Sequence, residues 1–153
     1  METLSLDFRS IKKILIPTDG SEYSLQAAEY AISIAKLVNA QIMVVFVVDD
    51  FVLDQMSKIT EREVAERNLK QDGKGYVNYV LSLAEKAGVN ASSLIVEGQP
   101  FERIVQIAKD VNVDLIVMGT YGRRGADRIL IGSVAQRVIE YGPCPVLVVK
   151  QNP

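Results

Sequence analysis

The chain has 153 residues, 48% of them hydrophobic, which fits one soluble domain with a core large enough to need no disulfide or metal staple. It has no His and one Cys; this excludes Ser-His-Asp and Cys-His triads, His metal clusters, four-cysteine zinc sites and a disulfide framework, and it fits a reducing compartment. A net charge of −2 argues against a general nucleic-acid binder, and a longest apolar run of seven residues, Ile42 to Val48, is far short of a membrane span.

Met1 to Ser10 carries acids and no apolar stretch, so it does not read as a secretory signal, and the cytoplasm is the expected location. Ile14-Leu15-Ile16 reads as a short strand stopped at Pro17. Ser21 to Val38 reads as a helix with Leu25, Ala28, Ile32 and Ala35 on one face, capped by Ser21 or Asp19. Ile42 to Val48 is apolar on both faces, the pattern of a buried strand in a parallel sheet. Asp49 to Ile59 is irregular and is expected to be a loop. Glu61 to Lys86 reads as a long amphipathic helix, with a break possible at Gly73 and Gly75 and a capping Gly88.

Ser93 to Val96 is a short strand, and Pro100 opens a helix whose apolar face holds Phe101, Ile104, Val105 and Ala108. Asp114 to Met118 is the fourth strand. Gly119 to Ile131 is a Gly- and Arg-rich loop, Gly132 to Tyr141 a helix, and Val146 to Lys150 the fifth strand after Gly142-Pro143-Cys144-Pro145. This alternation predicts an α/β fold: a single doubly wound domain with a parallel sheet. Ligands of such sheets bind beyond the carboxyl ends of the strands, at the topological switch point.

The segment from Gly119 to Ser133 carries the chemistry. Glycines stand at 119, 122, 125 and 132. Glycines after a strand allow positive φ and a close backbone approach, and runs of backbone N–H groups make anion-binding nests. Gly132-Ser133 opens a helix whose N-terminus favours phosphate. Residues 119 to 137 hold four Arg and one Asp, a local +3 that leaves −5 on the rest of the chain. A small anion suits such an island. No Lys follows Gly132, so the segment is not a P-loop, and it is not GxGxxG either. The bland alternative is a Gly-rich surface turn with solvated arginines.

Gly119-x-x-Gly122, nine residues, then Gly132-Ser133 resembles the ATP-binding signature of the universal stress protein family. The resemblance extends through Lys13 to Ser21, Val113 to Gly119, Gly132 to Val138 and Pro143 to Val149, covering essentially residues 11–150. It implies a five-stranded parallel sheet with helices on both faces, similar to the adenine nucleotide α-hydrolases. It implies ATP or another adenine nucleotide as ligand, with Mg²⁺. The Val47 backbone would meet the adenine edge. Pro17, Thr18 and Asp19 would border the nucleotide, with Asp19 near the phosphates through Mg²⁺. Met118 would pack beside the ribose. Gly119, Thr120, Gly122 and Gly125 would hold ribose and phosphates, and Gly132, Ser133, Val134 and Ala135 would cap the tail. Many relatives have Ser-His after the first Gly; here stand Thr120-Tyr121, with Arg123 and Arg124 following as replacement or as solvated residues.

The resemblance also implies a homodimer through Val146 to Val149. Two other functions stay open: a slow ATPase or nucleotidyl-transfer enzyme of the same architecture, and a dimeric interaction protein without nucleotide. Asp19 has a plainer reading as a helix cap, Asp49-Asp50 as a solvated loop start rather than a metal pair, and Cys144 as a small hydrophobe. Tyr76, Tyr79 and Phe101 read as core or interface residues.

Overall fold

The computed structural model describes residues 7–120 and 131–150. A 3-10 turn at Phe8–Ser10 precedes β1 (Lys13–Pro17), α1 (Glu22–Val38), β2 (Gln41–Asp49), α2 (Asp50–Met56) and α3 (Arg62–Lys86). Then follow β3 (Ala91–Gly98), α4 (Pro100–Asp110), β4 (Leu115–Gly119), α5 (Ser133–Tyr141) and β5 (Val146–Val149). The strands form one sheet in the order β3-β2-β1-β4-β5, and every pairing is parallel. The chain steps outward from β1 to β3, then crosses back to place β4 on the other side of β1. The switch point therefore lies between β1 and β4.

Two apolar clusters sandwich the sheet, and strand alternation assigns residues to them. Ile14, Ile16, Val44, Phe46 and Val48 face α1 and α3. Leu15, Val45, Ile116 and Met118 face α4 and α5. Central strands buried on both sides explain the unbroken apolar runs. The carboxylate of Asp114 ties the opposite end of the sheet by accepting the Lys12 and Lys13 N–H groups at 2.9 and 3.0 Å.

The structure corrects several expectations. Residues 50–56 are helical, not loop. Asp49 caps this short helix by accepting the Phe51 N–H at 2.9 Å, and Leu53 is fully buried beneath it. α3 runs unbroken through both glycines. At Gly73 a Cβ would lie 2.3 Å from the Phe46 ring, whereas Gly75 has open space around it. Gly73 is thus a packing requirement rather than a break. Gly88, with φ +74°, follows the last turn of α3 as expected. β3 extends beyond Ser93–Val96 at both ends.

Candidate functional site

A cleft of about 810 Å³ opens beyond the carboxyl ends of β1, β2 and β4, within the range of small-molecule sites. β1 and the turn after it supply Pro17, Thr18 and Asp19 to its wall, β2 supplies Val47, and β4 with the next residue supplies Met118, Gly119 and Thr120. The start of α5 supplies Gly132, Ser133, Val134 and Ala135. Tyr121, Gly122, Arg123, Arg124 and Gly125 lie outside the described residues.

The β1–α1 turn is held by its own polar groups. Ser21 caps α1 by accepting the Ser24 N–H at 3.2 Å. Asp19 is not the helix cap; its carboxylate accepts the Ser21 N–H at 2.9 Å. The Ser24 hydroxyl donates to the Ser21 carbonyl at 2.9 Å, so in the 3.1 Å pair between Thr18 and Ser24 the Thr18 hydroxyl is the donor. Thr18 is buried, and its oxygen also accepts the Gly20 N–H at 3.3 Å. With its hydrogen committed inside the turn, Thr18 shapes the cleft more than it donates into it.

Strand ends decide what faces the opening. The pairing of β1 with β2 ends at Pro17 opposite Val45, after which the Thr18 N–H donates to the Val45 carbonyl at 2.8 Å. Alternate residues of a strand turn their backbone groups to the same edge. Val47 therefore directs its N–H and C=O to the edge that β1 has vacated. β2 continues there to Asp49, paired with β3.

Gly119 and Gly132 are not at positive φ, a correction to the reading of these glycines as turn formers. A Cβ on Gly119 would lie 2.8 Å from the Tyr23 backbone of α1, so close helix packing requires that glycine. Gly132 is extended (φ −70°) and is the N-cap of α5 rather than its first residue. Its N–H donates to the Thr120 carbonyl at 2.5 Å, bringing the two ends of the Gly-rich segment together. The first N–H groups of α5 and its dipole thus open on the cleft. Thr120 is buried, and its hydroxyl lies 3.5 Å from the Val149 carbonyl.

The cleft has walls that motif reading passed over. α2 adds Phe51, Val52 and Asp54, and α4 adds Phe101 and Ile104 beside Gln99 and Pro100. The signal for α2 was its Asp49 cap followed by Val52, Leu53 and Met56 at helical spacing. Phe101 packs against the core cluster under α4 and α5, as expected, and also lines the cleft. Its ring is 6.1 Å from Tyr141 and carries the Arg137 guanidinium at 4.9 Å. Asp19, Asp49, Asp50 and Asp54 bring negative charge to the wall, and Arg137 is the one cation among the described lining residues. Among the described residues no cluster of three or more His, Cys, Asp or Glu is placed to hold a metal by itself. No helix of the described residues is long and apolar enough to cross a membrane.

Comparison with known proteins decides the family. The universal stress protein family profile matches residues 10–150. The chain belongs to the universal stress protein family. It is 45% identical over 140 residues to universal stress protein MJ0531 of Methanocaldococcus jannaschii, covering 92% of this chain and 82% of that one. The fold superposes on the solved structure of MJ0577, from the same organism, with a TM-score of 0.83 at 32% identity, over 94% of this chain and 98% of the other. A universal stress protein solved in complex with cAMP matches with a TM-score of 0.61 at 25% identity, over 92% and 97% of the two chains. Family membership and the parallel α/β sheet agree with the expectations drawn from the Gly119 to Ser133 segment and from the alternation of strands and helices.

Proposed function

We propose that this universal stress protein is a cytoplasmic homodimer that binds ATP, or another adenine nucleotide, as a regulatory ligand. One observation carries the reading: the α5 N-terminus at Gly132-Ser133, the close-packed Gly119 and the β1-side edge of β2 at Val47 converge on one cleft at the switch point. A helix N-terminus suits phosphate, and a vacated strand edge suits the hydrogen-bonding rim of a base. The cAMP complex of a relative supports an adenine nucleotide as the class of ligand. Gly122, Arg123, Arg124 and Gly125 complete the phosphate cradle in this reading.

The carboxylate oxygens of Asp19 suit Mg²⁺, a hard cation that takes one or two carboxylates along with phosphates. Asp19 would hold the ion through the phosphate tail, and the ion would neutralise charge there. Hydrolysis is expected to be slow or absent, since the Asp19 carboxylate already holds the Ser21 N–H and no Lys or His stands ready in the described cleft wall. The dimer is assigned to β5, an edge strand with Leu147 exposed, because an open edge is a pairing template.

The test is calorimetry of the purified chain with ATP, ADP and AMP in Mg²⁺, together with mass spectrometry of small molecules released on denaturation. Binding of at least one adenine nucleotide is expected. Gly132→Val fits the extended backbone at that position, and by crowding the α5 N-terminus it should lower affinity at least tenfold. An empty protein that takes up none of the three nucleotides would overturn the reading.

A further inference from the structure

Arg137 stands one turn after Ser133 on α5, so the two lie on the same face of the helix. Side chains on a helix lean toward its N-terminus, which brings the guanidinium back toward the Gly132-Ser133 end. Both residues line the same cleft. The guanidinium lies 4.9 Å above the Phe101 ring, and Phe101 comes from the first turn of α4 on the same wall. The ring covers one face of the guanidinium, and Arg137 is exposed, so its N–H groups can still meet a partner in the cleft.

The charge balance of the wall gives that position its meaning. Four aspartates line the cleft, and Arg137 is the one cation among the described lining residues. Each phosphate beyond the first adds negative charge. A helix N-terminus supplies only about half a positive charge, and its effect fades within one turn. A planar guanidinium pairs phosphate oxygens two at a time, more strongly than it rests on an aromatic face at an exposed site.

We propose that Arg137 is a specificity residue that contacts the outer phosphates, so that the cleft prefers a nucleoside triphosphate to a monophosphate. The inference rests on the adenine-nucleotide reading above. Arg137 leaves the Phe101 ring, or slides along it, to meet the tail at Ser133. A monophosphate has no outer phosphates to offer it.

The experiment measures ATP and AMP affinities by calorimetry at fixed Mg²⁺ for wild type, Arg137→Gln and Arg137→Lys. Arg137→Gln is expected to lower the ratio of ATP to AMP affinity about tenfold, the order of one charge-assisted phosphate contact at an exposed site. Arg137→Lys should recover part of that ratio. The wild-type ratio should also fall more steeply with added salt than the Gln ratio. Arg137→Met, which keeps a long apolar side chain beside Phe101, replaces Arg137→Gln if the latter does not fold. An unchanged ratio in a folded Gln or Met variant of a protein that binds ATP would overturn the proposal, leaving Arg137 as a tie between α5 and α4. Equal weakening of ATP and AMP would overturn it too. Failure of wild type to bind either nucleotide would instead remove the reading beneath it.

Discussion

Tyr76 of α3 lays its ring against Gly20, whose φ of +82° suits glycine and where a Cβ would lie 2.3 Å from that ring. Tyr76 also meets Phe46 at 5.9 Å between ring centroids, and Phe46 covers Gly73. Two glycines and two aromatics thus lock α3 onto the turn that carries Thr18 and Asp19. The two glycines of α3 should consequently respond in opposite directions. Gly75→Ala, in open space, should stabilise the protein by about 0.5–1 kcal/mol through helix propensity and the unfolded chain. Gly73→Ala should destabilise by about 1–3 kcal/mol, because the ring it would strike is itself buried. Denaturant titrations of both variants check the pair, and equal signs would show that helix propensity alone governs. Cys144 is half-buried; burial, and then the Asp114 carboxylate, push its thiol above the ordinary range. The folded state therefore keeps this proton longer than the unfolded chain. Its contribution to stability is complete below the unfolded thiol pKa of about 8.5 and is lost as pH rises through the higher folded value. Between pH 8 and 10 the wild type should lose stability relative to Cys144→Ala, and iodoacetamide at pH 8 should modify the native chain more slowly than the denatured one.

At the scale of elements, the strands and long helices were legible because each has a local cause. β1, β2 and β4 are short apolar runs buried on both faces, and α4 opens on Pro100 and buries Ile104, Val105 and Ala108. α2 was not legible because seven residues give barely two turns of periodicity. What makes that segment helical is the cap at Asp49 and the burial of Leu53 against the rest of the fold. The break expected in the middle of α3 has a similar origin. Propensity penalises Gly73, but the Phe46 ring from a distant strand compensates for it. At the far edge of the sheet, β5 leaves Leu147 exposed. If β5 forms the dimer, Leu147→Asp should give a monomer in sedimentation equilibrium while the wild type sediments as a dimer. A wild type that sediments as a monomer across micromolar concentrations would dismiss the β5 interface.

For the whole molecule, the charge is unevenly placed: the −2 total is a +3 segment on a −5 remainder, and an anionic ligand on that segment fits this asymmetry. A ligand that binds only the folded chain raises its stability by about 2.7 kcal/mol at a hundred times its dissociation constant. For a chain of this length that is a rise in melting temperature of roughly 5–10 °C. Saturating ATP with Mg²⁺ should produce it, and Gly132→Val should abolish most of it; a melting curve indifferent to ATP would count against the site. The sequence by itself determined the parallel α/β class and the order of the strands and of the helices other than α2, because periodicity and caps act over a few neighbouring residues. Only the tertiary structure decided why Gly119 must be glycine against Tyr23, how Tyr76 braces Gly20 and that Arg137 rests on Phe101 in the cleft. Those contacts join residues far apart in the chain, and they exist only once the order of strands in the sheet has brought their elements together.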